Sequence, residues 1–181
     1  MSYPIRILAF FLLLASIQKI YAVKEVDPEY LDWNTLKLNS QLPLLCKKAE
    51  LITLFGTIDS VKTPNYEEIC GSYFDSAFKY LYFGESQFEI SDSMAVVRII
   101  DLESSNIKLV SPKISLDKSV TLDKIKRLFP IAVKNAKLIE DDKKGKVLSI
   151  KVATSKRETD DAWILLFKNG KLIRIDHWIP C

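Results

Sequence analysis

Asn169-Gly170 stands between two apolar runs, Trp163–Lys168 and Lys171–Trp178, and this arrangement constrains the chain more than any other. Both turn residues tolerate positive φ, so the pair predicts a two-residue β-hairpin. A turn there sets Lys168 opposite Lys171, Leu166 opposite Ile173 and Ile164 opposite Ile175. One face then carries Ala162, Ile164, Leu166, Ile173, Ile175 and His177 and reads as the core side. The other carries Trp163, Leu165, Phe167, Leu172, Arg174, Asp176 and Trp178 and reads as the outward side. At an offset of 76 positions the pattern returns. Phe88–Ser91 and Met94–Ile100 flank Asp92-Ser93, with Phe88, Ile90, Ala95, Val97 and Ile99 on the apolar side. Phe88, Ile90, Val97 and Ile99 fall on Ile164, Leu166, Ile173 and Ile175, and Arg98 falls on Arg174. A one-residue slip inverts every side chain, so the shared facing pattern is what marks a duplication.

The segments before the hairpins match as well. Leu36–Ser40 resembles Ile114–Lys118, and Leu54-Phe55-Gly56 resembles Leu128-Phe129-Pro130. In the second copy Thr121 is the expected N-cap, Leu122, Ile125, Leu128 and Phe129 form a helical stripe, and Pro130 stops it. In the first, Leu44, Leu45, Ile52 and Phe55 share a helical face and Gly56 ends it. A further strand follows each helix, Phe78–Phe83 and Val147–Thr154, the second preceded by a turn at Asp141–Gly145. The expected fold class is α+β: two tandem helix-strand-hairpin units, residues 36–106 and 107–181, forming one antiparallel sheet of about six strands with helices packed on one face. Residues 23–35 are a polar leader.

Residues 1–22 read as a cleaved secretory signal. Arg6 precedes a largely apolar run of eleven, Ile7–Ile17, and Ala22 suits cleavage. That run is well short of the roughly 20 residues needed for a bilayer span. Removing it takes away two bases and no acid, so the formal charge falls from +3 to +1. Such a balance disfavours a nucleic-acid or anionic-lipid binder. The remaining cysteines are Cys46, Cys70 and Cys181, and an oxidising compartment favours one disulfide. Cys70 with Cys181 is preferred, tying down the chain end; Cys46 with Cys70 stays open. No cysteine follows the signal to carry a lipid, and a single histidine without a CxxC gives no zinc site.

The helix ending Leu-Phe-Gly, the loop Ile58-Asp59-Ser60 and the closing Leu-x-Phe-x-Asn-Gly-Lys-Leu-x-Arg-Ile resemble outer-membrane assembly lipoproteins of the SmpA/OmlA (BamE) type. The tandem form resembles the beta-lactamase inhibitor protein family. The likeness covers roughly Leu36 to Pro180. It implies one curved sheet whose exposed face binds protein. The acylated cysteine of the lipoproteins is absent here, as is a second-unit disulfide of the inhibitor kind.

The expected binding face holds Trp163, Phe167, Arg174 and Trp178, with Tyr80, Tyr82 and Arg98 from the first unit. Tryptophan, tyrosine and arginine bury much area for little lost rotamer freedom. Alternatively, the leader or a loop covers these aromatics as a second core. His177 lies on the core side and reads as structural; Glu67-Glu68, Asp141-Asp142 and Asp160-Asp161 read as solvated loop acids. Phosphate-cradling glycine motifs are missing. The expectation is an exported non-enzymatic protein-binding module of the periplasm or cell exterior, an envelope adaptor or an inhibitor, without cofactor. Its rivals are a small hydrolase using loop carboxylates with His177, and a carrier of a small apolar ligand.

Overall fold

The computed structural model describes residues 29–69, 71–75 and 77–181. The expected signal, residues 23–28 of the leader and Cys70 lie outside the described residues. The first half of the chain forms β1 (Lys37–Leu38), β2 (Leu42–Pro43), β3 (Leu45–Lys47), α1 (Lys48–Phe55), β4 (Ser60–Lys62), β5 (Lys79–Phe83), β6 (Ser86–Ser91) and β7 (Met94–Asp101). The second forms β8 (Leu109–Val110), β9 (Ser115–Leu116), α2 (Leu122–Leu128), α3 (Pro130–Lys134), β10 (Lys137–Asp141), β11 (Gly145–Ala153), β12 (Ala162–Lys168) and β13 (Lys171–Trp178).

Local chemistry explains most of these boundaries. Asn169 and Gly170 take φ of 51° and 75°, making the expected turn between β12 and β13. Thr121 caps α2 by accepting from the Lys124 N–H, and Gly56 at φ 84° ends α1 by donating to the Ile52 carbonyl. Pro130 both follows the end of α2 and opens α3, where its missing N–H costs nothing. One boundary differs from expectation. Leu45–Lys47 pairs with β7, Cys46 opposite Ala95, so Cys46 sits on a strand and not in a helix.

The architecture corrects the α+β expectation. A nine-stranded antiparallel sheet runs β10-β11-β12-β13-β7-β6-β5-β4, with β3 also beside β7, and a second sheet of four strands runs β2-β1-β8-β9. The two sheets share one core. Leu38, Leu109 and Leu116 of the small sheet are buried in the same cluster as Leu81, Phe88, Val97, Ile150, Leu165 and Ile175 of the large one. Among the described residues the helices are three, of eight, seven and five residues, and contribute Leu51, Ile125 and Ala132 as buried positions. They fill out the core without forming a layer. The leader also enters the core: Leu31 and Leu36 are buried, the Leu31 N–H donates to the Ala153 carbonyl, and Glu29 accepts from the Ile131 and Ala132 N–H groups at the start of α3.

The facing of the second hairpin also needs correcting. Lys168 pairs with Lys171 and Phe167 with Leu172, as a two-residue turn requires, but a bulge at Ile173 then shifts the register by one. Beyond it Leu166 faces Arg174, Leu165 faces Ile175 and Trp163 faces His177. The core side is therefore Trp163, Leu165, Phe167, Leu172 and Ile175, whereas Leu166 and Ile173 join Val147 in a small cluster on the opposite face. The physical reason is area. Trp, Leu and Phe bury more apolar surface than Ala, Ile and Leu, so the sheet turns that side inward. The first hairpin keeps its expected core residues Phe88, Ile90, Ala95 and Val97, but its own bulge at Arg98 replaces Ile99 with Ile100. Val97 and Ile173 consequently lie on opposite faces, and the facing agreement read at an offset of 76 fails. The two turns themselves are 77 positions apart. At that spacing Phe88, Ile90 and Ala95 match Leu165, Phe167 and Leu172, all of them in the core.

Candidate binding face

The small sheet covers the face of the large sheet that holds Phe88 and Leu165. The opposite, outer face follows from the pairing: Tyr80 and Tyr82 of β5, Glu89 of β6, Arg98 of β7, Arg174, Asp176 and Trp178 of β13, and Lys151 of β11. Five of the seven residues expected on the binding face lie here: Tyr80, Tyr82, Arg98, Arg174 and Trp178. Trp163 and Phe167 do not. They are 0% and 2% exposed within the main core, and the Trp163 indole N–H donates to the Leu31 carbonyl of the leader. For Trp163 the covering leader is what the structure contains.

At one end of the outer face aromatics form a row. Phe78, Tyr80 and Tyr82 alternate along the strand, with ring centroids 5.3 and 6.5 Å apart, and Tyr66 packs edge-on to Phe78 at 5.7 Å. Lys62 lies 5.2 Å over the Tyr82 ring. Burial pushes the phenols of Tyr80 and Tyr82 above their ordinary pKa, so both stay neutral hydrogen-bonding groups. At the other end Trp178 is 42% exposed, with the Lys151 ammonium 4.4 Å above its ring.

Between the two ends lies an ionic layer. Arg174 donates through Nε and Nη2 to Asp176, both at 2.9 Å, and reaches Asp141 through Nη1 at 2.8 Å. Burial opposes ionisation of Asp141, but the Lys144 N–H and Arg174 hold its carboxyl below the ordinary range. Asp176 is raised by burial despite Arg174. Glu89 is fully buried, accepts from the Tyr73 N–H at 2.8 Å and meets Arg98 Nε at 3.0 Å, an ion-pair distance without hydrogen-bond alignment. Burial raises its carboxyl despite that cation. Lys144 joins the halves of the chain, reaching Asp101 at 2.7 Å and Glu103 at 2.9 Å. These charges pair with one another, three cations among five carboxylates, so they fix side chains in place and leave the rings as the parts free to contact another molecule.

His177 is on the core side, as expected. Its ring is 4% exposed, 4.4 Å from Trp33 and 5.1 Å from Trp163, and Nε2 lies 3.0 Å from Asp161. Nδ1 is buried without a hydrogen-bond partner, so among the described residues no nucleophile is placed against this His–Asp pair. Of the loop acids, Asp141 and Asp161 are structural ligands of Arg174 and His177. Among the described residues no group of three or more His, Cys, Asp or Glu is arranged to hold a metal, and no helix is long and apolar enough to cross a membrane. Sequence reasoning missed Lys62, Tyr66 and Lys151. Lys151 was legible from alternation in the expected strand Val147–Thr154; Lys62, in a strand that was not expected, and Tyr66, in a loop, carried no such signal. No known family, curated protein or solved structure matches the chain.

Proposed function

We propose that this chain is an exported, non-enzymatic module that binds a protein partner through the outer face of its large sheet. The observation that carries the reading is the distribution of rings on that face: Trp178 at one end and Tyr80 and Tyr82 at the other, on the side away from the small sheet. Large rings on a rigid sheet bind with little ordering cost, and the ionic layer between them would discriminate against partners of unsuited charge. An envelope adaptor and an inhibitor of an exported enzyme both use such a face.

The Cys70–Cys181 disulfide belongs to the same proposal. Cys46 is free and buried, which supports leaving it out of the pairing. Gly71 packs directly against the Ile179 and Pro180 carbonyls, bringing the chain next to Cys70 to the chain next to Cys181.

Affinity capture from envelope extract tests the face. The wild type is expected to retain a partner that the Trp178→Ala/Tyr82→Ala variant loses by about tenfold or more, with the far-UV circular dichroism unchanged. Equal recovery by both would discard the face.

A further inference from the structure

The large sheet has two edges, and they are unlike. β4 is three residues long, whereas β10 is five residues paired only to β11, so one row of its backbone N–H and C=O groups faces away from the sheet. Open edges are normally protected by charge, bulges or a covering element. β10 carries Leu138 at 71% and Ile139 at 38% exposure, and the helices before it add Leu128 at 39% and Ile131 at 42%. Half of the exposed large hydrophobic residues among those described thus fall within residues 128–139. On β10 itself Leu138 and Ile139 place apolar side chains on both faces of an edge whose outer backbone groups are unpaired.

The sequence of the strand says what suits that edge. Antiparallel pairing of two copies about a two-fold axis must set one residue opposite itself, because any other choice mismatches the faces. Centring on Glu140 puts like charges directly opposite. Centring on Leu138 leaves Lys137 opposite Ile139. Centring on Ile139 sets Lys137 opposite Asp141, Leu138 opposite Glu140 and Ile139 opposite itself, so the five residues of β10 all find partners and both ends carry opposite charges. Asp141 is kept ionised by the turn N–H of Lys144 and by Arg174, which already holds its Oδ2 at 2.8 Å, so the incoming lysine would share a carboxylate that is in use.

We propose that two copies of this chain join along β10, antiparallel about Ile139, and continue the large sheet across a two-fold axis. This does not depend on the outer-face reading. The strand is short, below what a tight dimer buries, so the dissociation constant is expected on the order of micromolar.

Sedimentation velocity from about 1 to 100 µM tests it. The wild type should shift from monomer to dimer over that range, and Ile139→Asp, which sets two carboxylates face to face on the axis, should weaken dimerisation by about tenfold or more. The side chain is partly exposed, so the circular dichroism of this variant should match the wild type. Mild oxidation then reads the register. Ile139→Cys should cross-link between copies, because directly opposed residues have Cβ atoms about 5 Å apart, and Lys137→Cys should not. A wild type that stays monomeric throughout, an unaffected Ile139→Asp variant, equal cross-linking at both positions, or open-ended assemblies larger than a dimer would each overturn the proposal.

Discussion

The imidazole of His177 lies between the Trp33 and Trp163 rings with a single polar partner, Asp161. In the neutral ring Nε2 keeps the hydrogen and donates it to the carboxylate, which leaves Nδ1 as a buried lone pair. Protonation would turn Nδ1 into a donor with nothing to accept from it. Burial accordingly lowers the pKa below 6.5, and Asp161 opposes the shift without reversing it. The unfolded chain then binds the proton more readily than the folded one. The contribution of His177 is fully present above the unfolded pKa and is lost as pH falls through it toward the lower folded value, at no more than about 1.4 kcal/mol per pH unit. Urea titrations at pH 7.5 and 5.5 should therefore show a larger loss for the wild type than for His177→Gln. The raised carboxyls of Glu89 and Asp176 act in the opposite sense, and the comparison subtracts them because both proteins contain them. The core placement of His177 was legible only by accident, the bulge at Ile173 offsetting the choice of the wrong face on β12. That of Trp163 and Phe167 was not, because the hairpin offered two plausible apolar faces and the choice turned on which set of side chains is larger.

Among the elements, the hairpins show where reading from sequence stops. Asn-Gly located the β12–β13 turn, Thr121 and Gly56 located helix ends, and the first four pairs of the first hairpin followed from Asp92-Ser93. The bulges at Arg98 and Ile173 carried no comparable signal. Each lets the second strand present core residues three apart, Val97 then Ile100 and Leu172 then Ile175, and Ile100 and Ile175 then pair with each other across β7 and β13. The helices were overestimated because Leu44 and Leu45 look helical by spacing, yet the chain there adds to the sheet. Two glycines test the crowding at one such junction. Gly170 and Gly71 have nearly the same φ, 75° and 72°, but a methyl group at Gly170 meets nothing within 4 Å while at Gly71 it collides with the Ile179 and Pro180 backbone. Gly170→Ala should cost about 1 kcal/mol from backbone strain alone. Gly71→Ala should cost clearly more, read as the difference between the two urea midpoints.

At the scale of the whole molecule, the two sheets, the leader and the carboxyl-terminal strand all meet in one core. The cysteines report on how that core is closed. Cys46 is 4% exposed and its thiol is pushed up to about 11, first by burial and then by Glu50, so it should resist alkylation until the protein unfolds. Mass spectrometry of the unreduced digest should recover Cys70 and Cys181 in one joined peptide, and reduction should lower stability by about 2–4 kcal/mol. A Cys46-containing joined peptide would refute both statements. The overall arrangement, two sheets with minor helices, was beyond the sequence because the small sheet is made of two-residue strands, too short to show any period.

The docked leader has a consequence for how the chain is made. Leu31 is held by Ala153 and Trp163, and Glu29 by the N–H groups of Ile131 and Ala132, partners more than a hundred positions downstream. Whichever way the polypeptide emerges from a ribosome or a translocation pore, its earliest core residues have no place to go until almost its last strand arrives. Closing such long-range contacts is slow, and the incomplete chain meanwhile exposes unpaired strands to its surroundings. A protein of this design is a natural client for holding chaperones along its route, with folding concluded only after release.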